Sequence, residues 1–243
     1  MTFDSTSPSV ADYSPRLRVT CALPDELDAL RAVRARVYLE EGFLEENELV
    51  DGLDVDDDDD RAIHLAVHEG VAGQIVGTAR LIFRDGKPLP IEEQLGLFAD
   101  SVNPIEISRL AVLAGHRSAK LSIAIWKAVF DIGVLHGADH AFAIIERPLL
   151  NLVRRFGLPF EEVGPPFETY HSINWPVRCD GAEVLAGLVR TRPGLVEFFD
   201  QHSGTQRLGD VEVDLQMPED VLAFGATAEP VGAPASPMLP RAR

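Results

Sequence analysis

The sequence predicts an α/β fold whose sheet begins antiparallel and then contains one strand-helix-strand crossover. Three observations carry that expectation. Segments alternating apolar and polar residues are interleaved with segments whose apolar residues recur every three to four positions, in the order helix, hairpin, strand, helix, strand, helix, strand. The first two strands are separated only by "GVAG", which makes a hairpin their natural pairing. The later strand-helix-strand run has the short spacing of a crossover, a connection that is almost always right-handed.

Each element has its own signal. "LPDELDALRAVRARVYLEE" places Pro24 in a first turn, Asp25 and Glu26 just after it, and Leu27, Leu30, Val33 and Val37 on one stripe, which makes it the first helix. "AIHLAVHE" alternates Ile63, Leu65 and Val67, and "QIVGTARLIF" is apolar on both parities, as in a central strand. His64 and His68 share one face of the former, read as wet. A short helical "IEEQLG" precedes a strand over 104–113, and a helix from about Ala119 stops at Gly137. "DHAFAIIE" reads as a buried strand and "RPLLNLVRRFG" as a helix with Pro148 in its first turn. "FETYHSINWPVR" reads as a last strand, with two short helical segments after it, while "DVEVDLQM" is ambiguous.

Composition bounds the rest. A chain of 243 residues, 46% hydrophobic, suffices for one large core. Residues 16–225 are expected to form it, with 1–15 and the Pro/Ala-rich 226–243 as disordered ends. The net charge of -17 argues against nucleic acid as a partner. Apolar windows such as "LSIAIWKAVFDIGVL" carry Lys127 and Asp131 and fall short of the ~20 residues that a bilayer requires, so no integral membrane segment is expected. The amino terminus lacks the pattern of a signal peptide, which points to the cytoplasm. Cys21 and Cys179 form neither a disulfide framework nor a metal-spacing pattern. Neither a dinucleotide fingerprint, a nucleoside-triphosphate loop nor a "GxSxG" elbow occurs.

The candidate chemistry centres on "IEISRLAV". Ile105 and Ile107 share one parity, but Leu110 and Val112 share the other. A β-bulge at Ser108 or Arg109 produces such a slip and turns Glu106 and Arg109 toward the same polar face. It also frees a backbone N–H, near Leu110 or Val112, that suits a developing oxyanion. Arg80, in the central strand, needs an anion to offset its desolvation. Arg34 lies one position from the apolar stripe of the first helix, ordinarily a surface place, and shares a face with Tyr38. In the acidic run, Asp54, Asp56 and Asp58 mimic a calcium loop, but the next position is Asp59 instead of glycine and no metal is expected. Asp51 and Asp54 are anions suited to an ammonium group.

Five fragments in this order, "RARVY", "DGLD", "GTARLI", "EISRLAV" and "ERPLLNLVRRFG", resemble the acyl-homoserine lactone (autoinducer) synthases and the N-acyl amino acid synthases over roughly residues 17–180. That resemblance implies a GNAT-like (N-acetyltransferase) fold, a mixed, mostly antiparallel twisted sheet with helices on both faces. It marks Arg34, Asp51, Asp54, Arg80, Glu106 and Arg109 as functional positions, with Asp57 or Asp58 as other registers of the aspartate match. The lactone synthases' tryptophan after the first helix is replaced here by Phe43 or Leu44.

The implied activity moves a fatty acyl group from a carrier thioester to the amine of an amino acid or derivative. Glu106 is the expected base, and Arg80 and Arg109 the groups that orient it and the acceptor's carboxylate. The fold's coenzyme A loop has Lys120 and Ser122 in "GHRSAKLS" where glycines stand in relatives, which favours an acyl carrier protein over acyl-CoA as donor, with no resident cofactor. Arg117, Lys120, Lys127, Arg147, Arg154 and Arg155 are the candidate docking cations for that acidic partner. The alternatives are a lactone synthase using S-adenosylmethionine and a non-catalytic acyl-binding regulator.

Overall fold

A computed structural model describes residues 17–70, 73–96, 101–200 and 212–214. The segments expected to be disordered, 1–15 and 226–243, lie outside the described residues. The strands are β1 (Leu17–Cys21), β2 (Ala62–Glu69), β3 (Gln74–Phe83), β4 (Ile105–Val112), β5 (His140–Glu146), β6 (Glu161–Glu162), β7 (Phe167–Thr169), β8 (Ser172–Asp180) and β9 (Glu212–Asp214). The helices are α1 (Leu27–Glu41), α2 (Pro90–Leu95), α3 (Ala119–Leu135), α4 (Arg147–Arg155), α5 (Gly181–Thr191) and α6 (Pro193–Asp200).

All nine strands join one sheet in the order β6-β8-β5-β4-β3-β2-β1-β9, with β7 paired to β8. Every pairing is antiparallel except β4 with β5, which α3 joins as the crossover. The expected mixed, mostly antiparallel sheet is present. Its faces are covered separately. The main core joins Leu65, Leu81, Ile105 and Ile107 to Ile125 and Ile132 of α3, Leu150 of α4, Leu188 of α5 and Phe199 of α6. On the other face α1 packs Leu30 on Ala66 and Ile75, and α2 packs Ile91 on Ile82 and Phe142. Adjacent residues such as Leu81 and Ile82 enter opposite clusters because successive strand side chains point to opposite faces. No helix among the described residues is long and apolar enough to cross a membrane.

Two elements differ from expectation. Residues 167–178 are not one strand: β7 and β8 form a tight hairpin whose corner residues, Tyr170 and His171, have φ of 52° and 53°. Left-handed backbone at both central positions defines a type I′ turn, and neither residue type announces one. His64 and His68 do not face water but are buried beneath α1, where His64 Nε2 contacts the Asp59 carbonyl at 3.1 Å and His68 Nε2 contacts Thr20 Oγ1 at 3.0 Å. β1 and, outside it, the edge strand β9 extend the sheet beyond the elements expected from sequence, and β9 resolves the ambiguity of "DVEVDLQM".

Candidate active site

The bulge lies within the expected segment. Arg80 stands opposite Ser108 and Thr78 opposite Ala111, so Ala79 alone faces both Arg109 and Leu110. Arg109 absorbs the extra residue with φ of 51°. The parity slip has the predicted result: Ile105, Ile107, Leu110 and Val112 all contact the main core, while Arg109 turns to the α1 face. Beside the bulge the sheet opens. β4 pairs with β5 only from Ile105 to Ile107, and past that point a cleft separates the strands. One half of the cleft is apolar, with Ile107, Leu110, Trp126, Ile145 and Leu149; the other is polar, with Ser108, Glu146, Tyr170, Ser172 and Asn174. Tyr38 and Phe43, their rings edge to face at 5.7 Å, close the α1 side.

Behind the polar half lies a buried ion-pair network. Arg34, fully buried despite its place beside the apolar stripe, donates from Nη1 and Nη2 to the Asp59 carboxylate at 3.1 Å, and its Nε lies 3.1 Å from Asp54. Arg80 donates to Ser108 Oγ at 3.0 Å, to Asp59 at 2.7 Å and to Asp56. Arg109 reaches Asp54 at 3.0 Å and Asp56 at 2.9 Å, donates to the Tyr170 hydroxyl at 2.8 Å, and lies over both the Tyr38 and Tyr170 rings. Three buried guanidinium groups thus meet three carboxylates, with the more exposed Arg31 also reaching Asp59 at 3.1 Å, and each buried charge is offset. Burial alone would raise the Asp59 pKa, but hydrogen bonds and charge from Arg34 and Arg80 outweigh it and hold the carboxyl well below the usual range. The same balance, through Arg80 and then Arg109, lowers Asp56. Burial pushes the Tyr38 phenol up to about 12, so it remains protonated.

Glu106 behaves differently. It is 3% exposed, opposite Ile82 and beside Phe142, and its carboxylate accepts a hydrogen bond from the Ile91 amide at 2.8 Å. Burial raises its pKa to about 7, only partly offset by the Ile91 N–H and by Arg80. Such a carboxyl can both take and release a proton near neutrality. Glu106 lies on the α2 side and does not line the cleft. Glu146, at the end of β5, does; burial raises its pKa too, against a hydrogen bond from Ser172.

Of the residues predicted from sequence, the structure gathers Arg34, Asp54, Arg80 and Arg109 into the network, with Glu106 on the same sheet face. Asp51 is exposed in a turn, with φ of 51°, and joins none of these contacts. Asp56, Asp59, Tyr170 and Glu146 escaped sequence reasoning. Asp59 had an indirect signal: buried Arg34 and Arg80 demand more carboxylate than Asp54 can supply, and the acidic run is the nearest source. Lys127 is not a docking cation; it is buried and pairs with Asp131 at 2.5 Å. Arg117 is held by Glu41, and Arg147 and Arg154 share Glu162.

A mixed, mostly antiparallel sheet that parts at a bulge, with a buried carboxyl of raised pKa beside it, is a GNAT-like arrangement compatible with an acyltransferase. Residues 25–179 match the model of the N-acyl amino acid synthase FeeM family, and the chain belongs to that family. Among solved structures it is similar to FeeM, an N-acyl amino acid synthase from uncultured soil microbes, at 17% identity and a TM-score of 0.59, covering 77% of this chain and all of FeeM's (100%). It is also similar to the acyl-homoserine lactone synthase LasI, at 15% identity and a TM-score of 0.60 over 72% of this chain and 94% of that one. The coenzyme A-dependent lactone synthase BjaI matches at 21% identity and a TM-score of 0.58 over 80% and 92% of the two chains. No curated protein sequence matches.

Proposed function

We propose that this protein transfers a fatty acyl group from a carrier thioester to the amine of an amino acid or amino-acid derivative, in the cytoplasm. The observation that carries the reading is the two-sided cleft at the bulge. Its apolar half suits the acyl chain and its polar half the acceptor, and the thioester carbonyl then lies at their junction, next to Arg109 and Leu110. A bulge N–H there stabilises the oxyanion as the amine attacks. The amine must first lose a proton. Glu106 takes it through an intervening water, since its carboxyl sits behind the cleft wall. The thiolate of the carrier leaves and is reprotonated, and the amide remains.

Arg80 and Arg109 hold the site's shape. An acceptor carboxylate would reach them by displacing Asp56, the most exposed of the three aspartates at 28%. Acyl carrier protein is the proposed donor. Ser118 already caps α3 by accepting from the Leu121 amide at 3.1 Å, and Lys120 and Ser122 add side chains to the turn where a diphosphate would be cradled.

The test is mass spectrometry of lipids extracted from a host expressing the chain, beside purified protein given acyl carrier thioester and amino acids. N-acyl amino acids and thiol release are expected. Methylthioadenosine released from S-adenosylmethionine would instead assign a lactone synthase. Acyl binding without thioester consumption would assign a regulator.

A further inference from the structure

A second, partly open cavity adjoins the cleft, bordered by α3, β4, β5, β8, α5 and α6, and lined by apolar residues such as Ile105, Val129, Phe130, Phe160, Val184 and Phe199. Two residues, Ile107 and Trp126, line both cavities. Ile107 is held in β4 by pairing on both sides, whereas Trp126 projects from α3. Its indole is 4% exposed and stacks edge to face on Phe160 at 5.4 Å. Its buried Nε1 has no hydrogen-bond partner among the described residues. Packing alone therefore holds the ring, although a buried indole N–H ordinarily finds an acceptor.

We propose that Trp126 is the floor of the acyl cavity and sets the longest chain this enzyme accepts, with the second cavity as unused space beyond it. The proposal deepens the acyltransferase reading and rests on its placement of the acyl chain in the apolar half of the cleft. Apolar walls discriminate by contact: one methylene too many is rejected by roughly 10–200-fold. Shrinking the ring joins the cavities, and the lining of the second is predominantly apolar, as a hydrocarbon chain requires. Gly133 provides the control. It faces the second cavity from α3, where a Cβ would meet only Ile105 Cδ1 at 3.7 Å and the Ala138 Cβ at 3.9 Å, so a larger side chain there fills that space.

The experiment measures thermal stabilisation of the full chain by saturated fatty acids of increasing length, which is independent of catalysis. Wild type should reach a length beyond which stabilisation falls. Trp126→Ala should move that limit to longer chains, changing the long-to-short affinity ratio by at least about tenfold, with Trp126→Phe intermediate and available should the alanine variant fold poorly. Adding Gly133→Leu to either should restore the original limit, and Gly133→Leu alone should leave it unchanged. An unchanged limit in both Trp126 variants, a shift caused by Gly133→Leu alone, or no stabilisation of wild type at any length would overturn the proposal. The N-acyl products of the same variants separate the two readings: fatty acid profiles that shift while no N-acyl product forms would leave Trp126 as the floor of a binding cavity and remove the transferase activity.

Discussion

Glu106 is disfavoured as an anion by its own burial, and two measurable consequences follow. Its folded pKa, about 7, lies above the ordinary value of 4.5. Below about pH 4.5 the carboxyl is protonated in folded and unfolded chains alike, so it contributes no pH dependence. Between there and about 7 the unfolded chain releases the proton while the folded one keeps it, and stability falls as pH rises, by roughly 3 kcal/mol in all. Glu106→Gln cannot ionise, so its stability relative to wild type should improve from pH 5 to pH 8, as read by urea unfolding at each pH. The same variant should lose on the order of 10²-fold or more in turnover, because the amine then lacks a base. Near-wild-type turnover, with Glu146→Gln inactive instead, would transfer that role to the carboxyl in the cleft. Glu106 and Arg109 were legible at this scale because a strand's parity assigns each side chain a face, and Arg80 because a charge in a strand apolar on both parities needs an anion. Asp59 was not, because an unbroken run of aspartates has no period.

Among the elements, the β7–β8 hairpin holds the most strained backbone. Its corner places Tyr170 over Arg109, and both Tyr170 and His171 adopt left-handed φ without being glycine. Together with Arg109 and Asp51 they are the positive-φ non-glycine residues of the described chain, and three of these four belong to the cleft or its rim. A side chain in this conformation costs about 1–2 kcal/mol. His171 is exposed and only loosely opposed to Glu48 at 3.8 Å. His171→Gly should therefore stabilise the protein by about 1 kcal/mol, raising Tm by roughly 2–4 °C in a calorimetric scan, with turnover unchanged. A lower Tm would show that the His171 side chain contributes more than its backbone conformation costs. The bulge in β4 was legible from two out-of-phase apolar pairs. This hairpin was not, since Tyr and His carry no turn signal and the alternation continues across them.

Across the whole molecule, α1, the acidic loop, β3 and β4 converge on one balanced set of charges, and the sheet depends on that balance. Asp59 has the depressed pKa of a carboxylate held by Arg34 and Arg80. Its contribution is fully present above the unfolded value of 3.8 and is lost as pH falls below it. Asp59→Asn should cost about 3–5 kcal/mol at pH 7, because it leaves buried arginines uncompensated, and should flatten the loss of stability between pH 5 and pH 2. A variant as acid-sensitive as wild type would show that other groups govern the acid limb. The sequence by itself determined the main run of helices and strands, the crossover and the bulge, because hydrophobic period and strand parity are local properties of the chain, whereas Arg34 and Asp54 were marked as functional only by their resemblance to family motifs. Only the tertiary structure decided which aspartates meet which arginines, that Arg34 is buried and Lys127 unavailable, and that Trp126 stands between two cavities. Those depend on how α1 and α3 pack across opposite faces of the sheet, which brings together residues that no local period relates.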